Sequence, residues 1–533
     1  MERICKRTIA FFLLLMLGML VAVLSVFTVA SGTTLAQTAD QQRSYRLEVT
    51  QTRGTIYDCK MRSFTGQQTE YAAAIVPTIE DAAALSRILT QQEMADIYPS
   101  LTAGKPFALR VKDSFTAEGA DVFPVEKRYT DEQSAVHVIG YLDGAGVGVS
   151  GIEKLFDQQL SQGQGEISVT YQVDATNRVL AGEEKAINDT SFLSRRGVVL
   201  TLDQEIQTIA EQAAKKHLKK GAVVVTEIPT CKIRAIVSLP DFNPNDVASV
   251  LEGEDAPLLN RALSAYSVGS VFKLVSAASA LEYGIPPETR YTCTGGIQVS
   301  DGIFHCYNGE SHGEEDMSRA IAQSCNTYFV HVMQQVPQAQ FLLMAQNLGF
   351  GSSVEIAPGF SSAAGDLPTL DSLNIPKALA NFSFGQGDLT ATPVQIAGMV
   401  NAIASGGEYT APTIYEGFVN ENLQYLDRAK TPATRRVMTE HTASLLRSFM
   451  EESVKEGTSE KFAPASGGAG AKTATAQTGK YEDGVEKVIS WVAGYYPQEE
   501  PRYVITVMGE DGTGGGATCG PVFKEIADAL PLE

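Results

Sequence analysis

Ser267-Val268-Gly269-Ser270-Val271-Phe272-Lys273-Leu274-Val275 decides the reading of this chain. Ser270 and Lys273 are three residues apart, a spacing that puts both side chains on one face of a helix, so the amine can take the hydroxyl's proton. Apolar neighbours continue through Ala277, Ala278, Ala280 and Leu281. A lysine in such a run is expected to be partly buried. Burial disfavours the ammonium, lowers its pKa and makes a base near neutral pH. The chemistry this spacing suits is acyl transfer through a serine ester.

Two further segments extend the pattern. Ser324-Cys325-Asn326 follows in Ala-Ile-Ala-Gln-Ser-Cys-Asn-Thr-Tyr-Phe, residues 320–329. It reads either as a polar helix terminus, since Ser and Asn favour caps, or as a second hydroxyl and an amide serving a substrate. Lys472-Thr473-Ala474-Thr475 then emerges from the glycine-rich stretch 467–470. By itself that segment reads as a linker. Joined to the first two, it reads as an extended edge strand that holds a peptide by main-chain hydrogen bonds, with Lys472 and Thr473 offered to a carboxylate.

In this order the three segments resemble the S-x-x-K, S-x-N and K-T-G boxes of the class B penicillin-binding proteins. The resemblance covers nearly the whole chain. It includes Arg53-Gly54-Thr55-Ile56-Tyr57-Asp58, Gly148-Val149-Ser150-Gly151-Ile152-Glu153, Leu200-Thr201-Leu202-Asp203, and Gly385-Gln386-Gly387 with Thr392-Pro393. The resemblance implies a D,D-transpeptidase that cross-links peptidoglycan stem peptides. Ser270 would be the acylated nucleophile, Lys273 its general base, Ser324 the proton relay, and Asn326 the group on the substrate amide. Lys472 and Thr473 would bind the terminal carboxylate, and the backbone N–H groups of Ser270 and Thr475 would form the oxyanion hole. It also implies β-lactams as ligands, no cofactor, and a membrane glycosyltransferase as partner. The third box departs from the family: Ala474 stands where Gly is usual. A methyl there is expected to crowd the acyl group, or to strain the strand if the position needs a positive φ. A β-lactamase-like hydrolase, or a weakened scaffold or sensor retaining the fold, are the competing readings.

The implied fold is α+β: an antiparallel sheet flanked by helices, on an N-terminal pedestal. Runs at 222–226 and 233–237 read as a hairpin, extended runs at 489–495 and 503–508 would form one antiparallel sheet with the Lys472 strand, and helices at 270–283, 316–335, 392–405 and 438–455 would pack against it. The expected organisation is a cytoplasmic tail at 1–8, an anchor at 9–30, a pedestal at 31–190 with a helical stretch at 78–102, and a transpeptidase domain at 196–533. Ile9 to Ala30 carries no charge, and Arg3, Lys6 and Arg7 precede it. That pattern is a membrane span with the N-terminus inside and the catalytic part outside. Cleavage at Thr34-Leu35-Ala36 or in the Val29-Ala30-Ser31 region is the rival interpretation.

The chain's 533 residues and 44% hydrophobic content suffice for more than one core, and its net charge of −20 makes nucleic acid a poor partner. Seven cysteines are scattered without a C-x-x-C pair, so no metal site is expected. Cys293 and Cys306 are either a disulfide or two buried thiols, Cys325 is expected to pack, and His312 is expected on a turn or at the surface. Asp203 reads as a helix cap without chemistry.

Overall fold

A computed structural model describes residues 1–30, 43–162, 164–180, 182–251, 253–482, 484–510 and 512–531. The alternative cleavage site Thr34-Leu35-Ala36 lies outside them, as does Ser31. The chain forms two compact units. One comprises Met1–Arg53, Thr69–Glu126 and Gly163–Leu193; the other comprises Gly54–Gln68, Lys127–Gln162 and Ser194–Glu533.

In the first unit, α1 (Glu2–Ala30) has no buried residue and is long and apolar enough to cross a membrane. The remainder holds two three-stranded sheets. Glu166–Gln172 lies between Ser44–Gln51 and Ala186–Asp189, and Gln68–Ile75 lies between Phe107–Val111 and Ala120–Lys127. The helical stretch expected at 78–102 is two helices, Ile79–Ile88 and Gln91–Ala103. Thr78 with Asp81 and Thr90 with Glu93 each form a capping box, so the second helix starts afresh with only Leu89 and Thr90 between the two.

The second unit is built on a five-stranded antiparallel sheet. Its strands are β1 (Gly221–Glu227), β2 (Ile233–Leu239), β3 (Gly470–Glu482), β4 (Val485–Tyr496) and β5 (Tyr503–Gly509), in the order β2-β1-β5-β4-β3. Both faces are covered. Val223 and Val225 of β1 join Ile505 and Val507 in one core with Ile206 and Ala210 of α2 (Gln204–His217) and with Phe523 and Ile526 near the C-terminus. Val224, Trp491 and Met508 face a second, larger core. A sheet buried on both sides needs no polar alternation, which is why Gly-Ala-Val-Val-Val reads as a continuous apolar run.

The larger core encloses α3 (Lys273–Tyr283), whose first eight residues are all buried. Just before it, Gly269–Phe272 is a 3-10 turn. Phe272 packs against Phe341, Phe350 and Phe382 with ring centroids 5.9, 5.3 and 4.8 Å away. Truncating such a buried ring costs about 3–5 kcal/mol, so the turn between Ser270 and Lys273 is firmly anchored. The single helix expected over 316–335 is instead two, α4 (Met317–Ala322) and α5 (Asn326–Met333). Ser324 takes a left-handed φ of 58° and Cys325 caps α5, its sulfur accepting from the Tyr328 N–H, so one continuous helix is impossible. The expected helices over 392–405 and 438–455 form as α6 (Pro393–Ala404) and α7 (Glu440–Glu456), and Gly520–Ala529 is α8.

The expected 31–190 block divides between the units. Thr55–Tyr57 pairs in parallel with Gly197–Leu200, so, while Arg53 falls in the first unit, Gly54–Asp58 of that box belongs to the second. Glu153 is likewise buried there, with Arg128 Nε 2.7 Å and Tyr129 Oη 2.8 Å away, while Arg128 Nη1 donates to Gly54 O at 2.7 Å. Removing one partner of a buried ion pair strands the other. Glu153→Ala is therefore expected to destabilise this unit by about 3–5 kcal/mol, and replacing Arg128 and Glu153 together by apolar residues to cost less, as denaturant unfolding would measure.

Candidate active site

The turn that carries Ser270 is held by two glycines. Gly269 has φ 65° and donates its N–H to Gly385 O at 2.9 Å; a Cβ on Gly269 would meet Ala476 of β3 at 3.1–3.3 Å. Gly385 has φ 89°, and a Cβ there would lie 1.9 Å from Gly269 O. Only glycines let this turn, β3 and the 385–387 loop approach so closely. Trp491, the chain's one tryptophan, donates its Nε1 hydrogen to Ser267 O at 2.9 Å and pins the same turn from β4.

Ser270, half-buried, places Oγ 3.0 Å from Lys273 Nζ. Lys273 is fully buried, and its Nζ also lies 2.6 Å from Ser324 O, 3.1 Å from Ser324 Oγ and 2.7 Å from Asn326 Oδ1. Burial pulls its pKa down to about 8. Below that pH the folded chain must hold a buried ammonium. The cost fades as pH rises from about 8 toward 10.5, where lysine in the unfolded chain also loses its proton.

Ser324 is reached from the other side by Lys472, whose Nζ lies 3.0 Å from Ser324 Oγ and 2.9 Å from Thr473 O. Lys472 is also fully buried, and burial, then the charge of Lys273, hold its pKa well below the ordinary lysine value. Its amine is thus committed to Ser324 rather than open to solvent. Asn326 Nδ2 donates to His305 O at 2.9 Å. Thr473 Oγ1 lies 2.8 Å from Thr458 Oγ1, and Thr475 Oγ1 accepts from Gly515 N at 3.2 Å.

The structure therefore brings Ser270, Lys273, Ser324, Asn326 and Lys472 into one hydrogen-bonded cluster, and Thr473 and Thr475 follow Lys472 on the edge strand β3. The sequence reading missed the His305 carbonyl and Thr458, neither of which carries a motif. Ala474 pairs with Trp491 in regular antiparallel register, and it is not among the residues of positive φ. Its methyl belongs to the core that holds Trp491 and Ala476, so the strain considered for this position does not arise. Among the described residues, the side chains with metal-ligand chemistry that converge are Cys293, Cys306, His312 and Cys325.

Residues 221–528 match the family described as the penicillin binding protein transpeptidase domain. The chain belongs to this family. Among related penicillin-binding proteins, stage V sporulation protein D of Bacillus subtilis is 28% identical over 415 residues, covering 74% of this chain and 62% of the relative. Peptidoglycan D,D-transpeptidase PbpA of Mycolicibacterium smegmatis is 28% identical over 357 residues, covering 62% and 72%. The chain thus spans less than two thirds of the first relative's length. The fold resembles that of a chain in a peptidoglycan synthase complex (24% identity, TM-score 0.70, 98% of each chain). It also resembles a structure of PBP2 with MreC from Helicobacter pylori (21% identity, TM-score 0.66, 92% of this chain and 98% of that one).

Ser324 separates strain from function in this penicillin-binding protein. Glycine takes a left-handed φ freely, whereas alanine pays roughly 1–2 kcal/mol. Ser324→Gly is expected to unfold with a stability about 1 kcal/mol above Ser324→Ala by thermal denaturation, while both lose the hydroxyl between the lysines and acylate slowly.

Proposed function

We propose that this chain is a D,D-transpeptidase that cross-links peptidoglycan stem peptides through an ester on Ser270. The observation that carries the proposal is a fully buried Lys273 within 3.0 Å of Ser270 Oγ, with its pKa brought to about 8. Neutral Lys273 takes the Ser270 proton as Oγ attacks the penultimate D-alanine carbonyl. The N–H groups of Ser270 and Thr475 receive the developing oxyanion. Ser324 passes a proton to the departing D-alanine amine, and Asn326 holds the donor's backbone amide. Thr473 meets the terminal carboxylate. Lys472 contributes positive charge and orients Ser324. A neighbouring stem's amine then attacks the ester and frees Ser270.

An edge strand suits a donor laid alongside β3, because its outer hydrogen-bonding groups can pair with an extended peptide. Among the described residues no carboxylate is hydrogen-bonded to Ser270, Lys273 or Ser324, which disfavours rapid hydrolysis of the acyl-enzyme and hence a β-lactamase. The basic first turns of α1 support a single-pass anchor, with Arg3, Lys6 and Arg7 cytoplasmic and the catalytic unit outside. A membrane glycosyltransferase is the partner this reading requires, because a transpeptidase needs glycan strands polymerised beside it. The synthase complex named above supports that class of partner.

Fluorescent penicillin with the full chain in detergent is expected to leave a stable adduct on Ser270. The adduct should disappear in Ser270→Ala and form about 10²–10⁴-fold more slowly in Lys273→Ala. A short-lived adduct would instead indicate a hydrolase. The acylation rate should rise with pH, with a midpoint near about 8, as Lys273 becomes neutral; stopped-flow labelling across pH 6–10 (roughly two units either side) would show a flat or falling profile if another group were the base.

A further inference from the structure

The loop that carries Ser324 and Asn326 is tied from behind by four side chains the transpeptidase chemistry leaves unused. Cys293 ends the strand Tyr291–Cys293, Cys306 follows the hairpin Gly296–Val299 with Gly302–His305, His312 adjoins the strand Gly313–Glu315, and Cys325 sits between Ser324 and Asn326. The three cysteines are buried, and their sulfurs lie with a ring nitrogen of His312 within 4.8 Å of one another.

The separations are informative. Cys293 Sγ is 3.6 Å from Cys306 Sγ, Cys306 Sγ is 3.7 Å from Cys325 Sγ, and Cys293 Sγ is 3.4 Å from His312 Nδ1. A disulfide needs about 2.05 Å between sulfurs. A tetrahedron of ligands around zinc, with Zn–S about 2.3 Å and Zn–N about 2.0 Å, has sulfur–sulfur edges of about 3.8 Å and sulfur–nitrogen edges of about 3.5 Å. The sulfurs are also surrounded by donors suited to thiolates. Gly295 N–H donates to Cys293 at 3.4 Å, Tyr328 N–H donates to Cys325 at 3.4 Å, and Thr327 Oγ1 is 3.2 Å from Cys293 and 3.4 Å from Cys325. Such outer partners orient ligands and sustain their charge.

We propose that Cys293, Cys306, Cys325 and His312 are a closed Cys₃His site for a structural Zn²⁺. Three thiolates and an imidazole favour this soft-to-borderline ion over Mg²⁺, Ca²⁺ or Mn²⁺. Four protein ligands leave no position for water, so the metal holds structure rather than reacting. Binding replaces the three thiol protons, which pass to solvent, and no electron transfer is involved. The sequence alone pointed to no metal and placed His312 on a turn or at the surface; a zinc site departs from the first expectation, while His312 lies in a loop and is half-buried. The spacings 293–306, 306–312 and 312–325 contain no C-x-x-C pair, and the hairpin must fold before the ligands meet.

The consequence for the active site is positional. The hairpin bearing His305, whose carbonyl holds Asn326, is flanked by Cys293 and Cys306, and Cys325 is embedded in the S-x-N box itself. A metal here fastens both sides of that contact.

The test is the metal content of the full chain, purified in detergent with reductant and without chelator. The expected result is about one zinc per chain by elemental mass spectrometry, lost in Cys306→Ser and retained in Ser270→Ala, which separates this proposal from the assignment of the nucleophile. His312→Ala should weaken Zn²⁺ binding at least as much as the roughly 10–100-fold cost of losing an outer-shell partner. Should the cysteine variant fail to fold, Co²⁺ added to the metal-stripped parent answers the question: visible absorption of a tetrahedral thiolate complex, abolished by Zn²⁺, supports the site. Absence of both zinc and the Co²⁺ spectrum in a chain with free thiols, or a Cys293–Cys306 disulfide in a non-reduced digest, overturns it.

Discussion

A lysine ammonium without access to water is costly to hold in a folded chain, and much of the surrounding architecture is arranged about one. Lys273 lies at the head of a helix whose neighbouring residues are all buried, and its four oxygen neighbours come from Ser270, Ser324 and Asn326. An unpaired buried charge is worth several kcal/mol against folding. Supplying oxygens instead of a carboxylate lets the amine exist neutral, which is the state a base needs. The Phe272 cluster, the Gly269–Gly385 contact and the Trp491 hydrogen bond all act to keep Ser270 within reach of that amine.

The same demand explains why the helix expected over 316–335 is interrupted. A continuous helix would keep the 324–326 backbone in its own ladder and point no carbonyl or hydroxyl at Lys273. The left-handed Ser324 turns both its O and its Oγ toward the amine, and Cys325 restarts the helix as a cap. Backbone strain of this kind persists where surrounding contacts over-determine it. Here those contacts come from β3 through Lys472 and from the hairpin through His305 O.

Much of this was legible in the sequence because the chemistry is local. Ser270 and Lys273 are joined by one turn, so their spacing carries the geometry; β1 and β2 are neighbouring apolar-rich runs joined by a short turn; and Asp203 caps α2 as its position suggested. The order of the three boxes added the family, whereas the distances among them required the fold. Other features were not legible for physical reasons. That Thr55–Tyr57 pairs with Gly197–Leu200 is a non-local contact with no local signature. The conformation of Ala474 depends on its partner Trp491, and the effect of its methyl could not be judged without knowing which core it enters. His312 looked like a turn residue because its neighbourhood is polar and glycine-containing, yet its partners are 19 and 13 residues away in Cys293 and Cys325.

Ser324 Oγ stands between two amines, 3.1 Å from Lys273 and 3.0 Å from Lys472, and a hydroxyl has a single hydrogen to give. Both amines donate to that one oxygen, so the two lysines are held side by side away from water. Two adjacent ammonium groups away from water would repel strongly. An anionic ligand arriving beside β3 offsets the burial that disfavours a charged Lys472 while Lys273 stays neutral as the base, so capture of a carboxylate is linked to uptake of a proton by Lys472. Recognition and protonation are then a single linked equilibrium, and the heat of binding carries the ionisation enthalpy of whatever buffer supplies the proton.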